Sequence, residues 1–134
     1  LPGYKVIHFQ DGKFILFDMW CTAASGTGSS GTTTIWYDGV VVWVMHYGGW
    51  YIDWVTPFLK RALMRNYAEG IFIGGRGPEQ LEGEDHTLQY LNRVERNEFS
   101  DFKGYEQMIA TSQQIGVSVG TKLGEHHYFG HSFI

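Results

Sequence analysis

The stretch GEHHYFGH, Gly124 to His131, carries three of the chain's six histidines. In a helix, His127 and His131 would be i, i+4 neighbours able to share a metal ion. Gly124 and Gly130 oppose that, since glycine lowers helix propensity by about 1 kcal/mol relative to alanine. As a strand, the segment sets His127, Phe129 and His131 on one face and His126 and Tyr128 on the other. His127 and His131 then stand about 13 Å apart at ~3.3 Å per residue, too far to share an ion. A metal would need ligands from other strands, such as His8, His46 or Asp18, and no metal is expected.

Other polar residues have more telling neighbours. Glu106 shares a strand face with Met108 and Ala110, and an unpaired carboxylate on an apolar face is costly. Arg76 is the natural partner: Gly75 and Gly77 let its backbone bend, and Pro78 fixes the exit. An Arg76–Glu106 pair is therefore predicted to anchor the loop after the helix to the sheet. Asp18 lies between Leu16 and Trp20 on one face. His46 ends an apolar run and precedes Tyr47-Gly48-Gly49-Trp50, which places a polar group at the mouth of a pocket. His46, Asp18 and Glu106 are thus the candidates for acid–base chemistry. Trp36, Trp43, Tyr47, Trp50 and Tyr90, with Arg76 and Glu106, are the candidates for lining a ligand cavity. No nucleophile elbow, H-E-x-x-H or paired-cysteine motif is present, and no cofactor is expected.

These residues must be positioned by one domain, residues 1–134. Aromatic residues make up 16% of the chain, which favours strands. A net charge of −4 argues against a nucleic-acid surface, which needs excess cations to replace counterions. Lys60, Arg61 and Arg65 read as a solvated helix face. A lone cysteine, Cys21, forbids an intrachain disulfide and points to a reducing, cytoplasmic setting, where it would be a small buried hydrophobe. No apolar run is long enough for a membrane helix, and no signal peptide is legible. The start at Leu1-Pro2 reads as that of a trimmed or partial chain.

Asp11-Gly12 and Asp38-Gly39 each separate two strand-like runs, the strongest short-range hairpin signal. Val40 to Tyr47 is apolar on both alternating faces and is expected to be a central strand. Gly26, Gly28 and Gly31 spell G-x-G-x-x-G, but the run continues into the β-branched TTTIWY rather than a helix, so a nucleotide site is rejected and a mobile loop expected. Thr56 as N-cap, Pro57, the stripe Phe58, Leu59, Ala62, Leu63 and Tyr67, and the stop at Gly70 predict one helix over about residues 57–69. Residues 86–96 fit a helix or a strand equally. Residues 116–120 and the C-terminal segment read as further strands. The fold class is α+β: a strongly twisted, cone-like antiparallel sheet of roughly six to eight strands packed on that helix, with a cavity at its open end.

The order of motifs resembles a bacterial family catalogued as a domain of unknown function, whose members stand alone or follow an XRE-type helix-turn-helix domain. The matching residues are Trp43, Met45, Tyr47, Gly48 or Gly49, Arg76, Gly77, Pro78, Phe102, Gly104, Glu106 and Ile109. Two positions depart from the family pattern. Its strand asparagine is His46 here, and its closing His-Gly-Gly is Gly130-His131-Ser132. The resemblance implies an architecture and a role near regulation, not a reaction.

The expected function is non-enzymatic: a sensor or binding domain for a small apolar or aromatic ligand held in an aromatic-lined cavity. The alternative is a small lyase, isomerase or hydrolase using His46 with Asp18 or Glu106. A second alternative is a structural or oligomerisation domain, with a homodimer formed through exposed aromatics. No direct contact with nucleic acid or membrane is expected.

Overall fold

A computed structural model describes residues 1–24, 26–114 and 116–134. It holds eight antiparallel strands in one open sheet: β1 Tyr4–Asp11, β2 Phe14–Thr22, β3 Gly28–Tyr37, β4 Val40–Tyr51, β5 Gln80–Glu82, β6 Leu88–Glu98, β7 Asp101–Ala110 and β8 Lys122–Ser132. The spatial order is β1-β2-β3-β4-β8-β7-β6-β5. Two four-stranded meanders therefore meet along β4 and β8.

The glycine turns set the hairpins. Asp38 and Gly39 both have positive φ, 48° and 81°, as a type I′ turn requires. At the first hairpin the turn lies one residue later than the sequence suggests. Gly12 (φ 57°) and Lys13 form it, and Asp11 pairs with Phe14. The two tips are tied together: Asp38 donates its backbone N–H to Lys13 O at 2.9 Å, and Lys13 Nζ meets Asp38 Oδ2 at 2.9 Å.

The chain leaves β4 at the centre of the sheet but must enter β5 at the far edge. A 3-10 turn, Asp53–Val55, the helix α1, Thr56–Glu69, and the loop through Pro78 make that journey across one face. Val55, Phe58, Leu59 and Ala62 are buried there against Tyr51, Leu88, Tyr90, Met108 and Leu123. Trp43, Met45, Phe102 and Tyr128 form a second cluster under the loop, against Phe72. The cone wrapped on a helix is corrected: the sheet is open, and α1 covers only part of one face, because one short helix cannot span eight strands. Thr56 is corrected too. It is the first helical residue rather than the cap, since the 3-10 turn runs directly into the helix and Val55 precedes it. Gly70 does stop the helix, with φ 67°.

Other expectations resolve as follows. Residues 88–98 are strand β6, so the helical reading of 86–96 falls. The glycine-rich run is already β3 from Gly28, where a mobile loop was expected; Ser25 lies outside the described residues. Residues 116–120 form no strand; Val117 makes only an isolated bridge to Gln114. β4 is central, but it is not buried on both sides. A bulge opposite Ile35 and Trp36 turns Val42 inward beside Trp43 and Met45, whereas Val44 stays half-exposed on the uncovered face. Among the described residues, no helix is long and apolar enough to cross a membrane.

Candidate functional site

The site lies on the covered face, where α1 and the loop after it approach β2, β3, β4 and β8. A cleft of about 320 Å³ opens there. Trp20, Tyr47, Tyr51, Tyr67 and His126 give it aromatic walls, Leu59 and Leu63 come from α1, and Asp18, Asp53, Lys60 and Arg76 are the charged residues of its lining.

The cleft's floor is an ion pair. Glu106 is fully buried and Arg76 is 5% exposed. Arg76 grips the carboxylate with both arms, its terminal nitrogen 2.5 Å from Oε1 and its Nε donating to Oε2 at 3.2 Å. Tyr90 donates its hydroxyl to the same Oε2 and accepts the Gly77 N–H at 3.1 Å. Bidentate geometry plus a third donor is the arrangement that lets a buried charge pair survive desolvation. Burial alone would push the Glu106 carboxyl up, but the Arg76 charge and the donated hydrogen bonds outweigh it and hold it below the usual carboxylate range. Burial would lower Arg76, and Glu106 more than reverses that. Behind the pair, Asn92 donates to Ile73 O at 2.9 Å and Gly77 O at 3.1 Å, and accepts the Tyr128 hydroxyl at 2.5 Å. The loop that carries Arg76 is thus pinned from below.

Beside the pair stands His126. Its Nε2 is 2.9 Å from Ser29 Oγ, and its Nδ1 lies 3.8 Å from Glu106 Oε1 without a hydrogen bond. Burial chiefly, with the Arg76 charge, lowers its pKa to about 4 against the pull of Glu106, so the ring is neutral at pH 7. Tyr51 packs on this ring at 4.8 Å, and its hydroxyl is likewise buried, with no hydrogen-bond partner but near enough to Glu106 to feel that carboxylate. Burial and the Glu106 charge keep that phenol protonated. At the other end of the cleft, Asp18 Oδ1 accepts hydroxyls from Tyr47 and Thr33, each at 2.9 Å. The Arg76 guanidinium lies 5.0 Å from the centre of the Tyr47 ring, a cation–π contact.

Glycines make room for these rings. A Cβ on Gly31 would strike the Tyr47 phenol, and one on Gly124 would strike the Tyr51 ring. Each tyrosine lies flat over a glycine on the neighbouring strand, which is why glycine stands inside otherwise regular strands.

The structure therefore brings Asp18, Tyr47 and Arg76 to the cleft and places Glu106 and Tyr90 directly beneath it. Trp43 lines an adjoining apolar hollow of about 370 Å³ with Ile35, Phe72 and Phe99, and Asp18 borders both spaces. The strand register excludes the rest. His46 pairs with Thr32 and Phe129, one residue out of phase with Met45 and Asp18, so it points to the opposite face. It contacts Thr32 Oγ1 at 3.2 Å and the Phe129 ring at 5.0 Å. The expected convergence of His46 with Asp18 or Glu106 does not occur. Trp36 and Trp50 also face the uncovered side, by the same alternation. Cys21, expected buried, is half-exposed there. Among the described residues, no three His, Cys, Asp or Glu side chains group as metal ligands.

Sequence reasoning missed Ser29, Tyr51 and His126. The alternation within GEHHYFGH separated His126 from His127 and His131, but nothing in it shows which face the helix covers. Of the site's titratable groups, His126 titrates far below neutrality and the buried Glu106 carboxylate is fully engaged by Arg76 and Tyr90. Residues 25–120 match the family model described as Domain of unknown function (DUF5680). No curated protein and no solved structure matches the chain.

Proposed function

We propose that this chain, which belongs to the DUF5680 family of domains of unknown function, is a non-enzymatic binding domain that takes a small ligand with an apolar or aromatic body and a hydrogen-bonding head into the cleft under α1. One observation carries the reading. Tyr51 Oη and His126 Nδ1 are polar atoms without a hydrogen-bond partner on residues only 6% and 5% exposed, and both residues line the cleft. Buried polar groups are almost always satisfied, so two unsatisfied ones on one aromatic-walled cleft support a ligand whose polar atom would meet them. The Arg76–Glu106 pair beneath them neutralises itself.

The test is thermal-shift and calorimetric titration with a set of small phenols, indoles and aromatic amides. A ligand at one hundred times its Kd would stabilise the fold by about 2.7 kcal/mol. Tyr51→Phe supplies the control. It removes an unsatisfied buried hydroxyl, which costs about 1–3 kcal/mol, so the unliganded variant is expected to be at least as stable as the parent while binding the hits more weakly. A Tyr51→Phe variant that binds every hit as the parent does would place the ligand elsewhere and end the proposal.

A further inference from the structure

The two edges of the sheet are unequal. β5 is three residues long and ends in Glu82, a blunt edge. β1 is eight residues long and exposed throughout, with Ile7 53% and Phe9 61% exposed because α1 lies over the other half of the sheet. A long, exposed, apolar edge strand is a template for another strand.

The register shows which backbone groups it offers. Asp38 donates to Lys13 O, so Lys13 and the odd residues after it in β2 turn their N–H and C=O groups toward β3. The even ones, Phe14 to Trp20, bond β1 through Asp11, Phe9, Ile7 and Lys5. The outward-facing peptide groups of β1 therefore belong to Val6, His8 and Gln10.

We infer that β1 is a homodimer interface, two copies pairing antiparallel about a two-fold axis at His8 so that both sheets continue as one. In this register His8 bonds the partner copy's equivalent residue, Val6 bonds the position of Gln10, and every outward N–H and C=O of the three is used. The intervening residues then meet as non-bonded pairs, in which side chains are closest. Ile7 faces the position of Phe9, and Lys5 faces the position of Asp11, twice each by symmetry. Sliding by two residues sets Lys5 against the position of Phe9 in one direction and of Lys13 in the other, and loses both ion pairs. Charge and apolar contacts thus select one pairing and one occupant, a second copy of this chain.

Sedimentation equilibrium tests it. The parent protein is expected to move reversibly from 15.3 kDa toward twice that mass as concentration rises. Lys5→Glu or Asp11→Lys alone sets like charges opposite each other twice and should weaken association roughly tenfold, while the double variant Lys5→Glu/Asp11→Lys restores it. His8→Pro removes an outward N–H without breaking a backbone bond to β2 and should abolish the dimer. On the parent itself, hydrogen exchange at the amides of Val6, His8 and Gln10 should slow at high concentration and quicken on dilution. A monomer at every concentration, a dimer indifferent to His8→Pro, a double variant no better than the singles, or exchange at these amides independent of concentration would each overturn the inference.

Discussion

Glu106 concentrates most of what is unusual at the level of single residues. A buried pair contributes little net stability over a well-packed apolar substitute, but breaking it strands a charge. Glu106→Ala leaves Arg76 buried and unpaired, and chemical denaturation is expected to show a loss of about 3–5 kcal/mol. Replacing both partners with apolar residues, Arg76→Met with Glu106→Leu, should recover most of that loss. His126 sets the pH response. Its folded pKa is about 4 against an ordinary 6.5, so between those values the unfolded chain binds a proton that the folded one refuses. Its contribution is complete above about pH 6.5 and declines as pH falls toward about 4. Glu106 acts in the same direction lower down, since a carboxylate held below its ordinary range loses its contribution as pH falls through the folded value. Equilibrium unfolding of His126→Gln across this window should show a slope shallower by up to about one proton, with the acid limb below it retained.

At the scale of elements, glycine and tyrosine act as pairs across strands. Gly124→Ala in β8 would drive a methyl group into the Tyr51 ring. Overpacking of this kind costs about 1–3 kcal/mol, and because Tyr51 lines the cleft, the variant should lose ligand affinity along with stability; paired melting curves and titrations check both. Much of this layer was readable beforehand, for local reasons. Asp38-Gly39 demanded a turn with positive φ, Pro57 and Gly70 bracketed α1, and Glu106 between apolar neighbours required a cation, which Arg76 supplied. What could not be read was non-local. Leu88, Leu91 and Val94 satisfy a helical period while His86, Leu88 and Tyr90 satisfy a strand, and pairing with β7 decided for the strand. His46 reads as a pocket residue from its place between an apolar run and Tyr47-Gly48-Gly49-Trp50, and with both alternating faces of that run in β4 apolar nothing local shows which one is covered. Only the path of the chain across one side shows that its odd-numbered residues from Trp43 to Tyr51 face inward and the even-numbered ones outward.

For the molecule as a whole, burial follows the topology. β4, β7 and β8 lie at the middle of the sheet and carry most of the buried side chains, whereas β1 carries none. Native-state hydrogen exchange should therefore show the slowest amides in β4, β7 and β8 and progressively faster exchange through β2 to the outward amides of β1 in dilute solution; uniform protection across the sheet would contradict this gradient. The seam between β4 and β8 has a further consequence, one of time rather than stability. Each meander can assemble from near neighbours in the chain, but the seam joins distant ones: Ser29 reaches His126 across 97 positions and Val42 reaches Ser132 across 90. Chains dominated by such contacts cross their folding barrier in milliseconds to seconds rather than microseconds. Until the halves close on each other, Tyr51 and His126 have no shared wall, so the proposed binding cleft is complete only once this seam has formed.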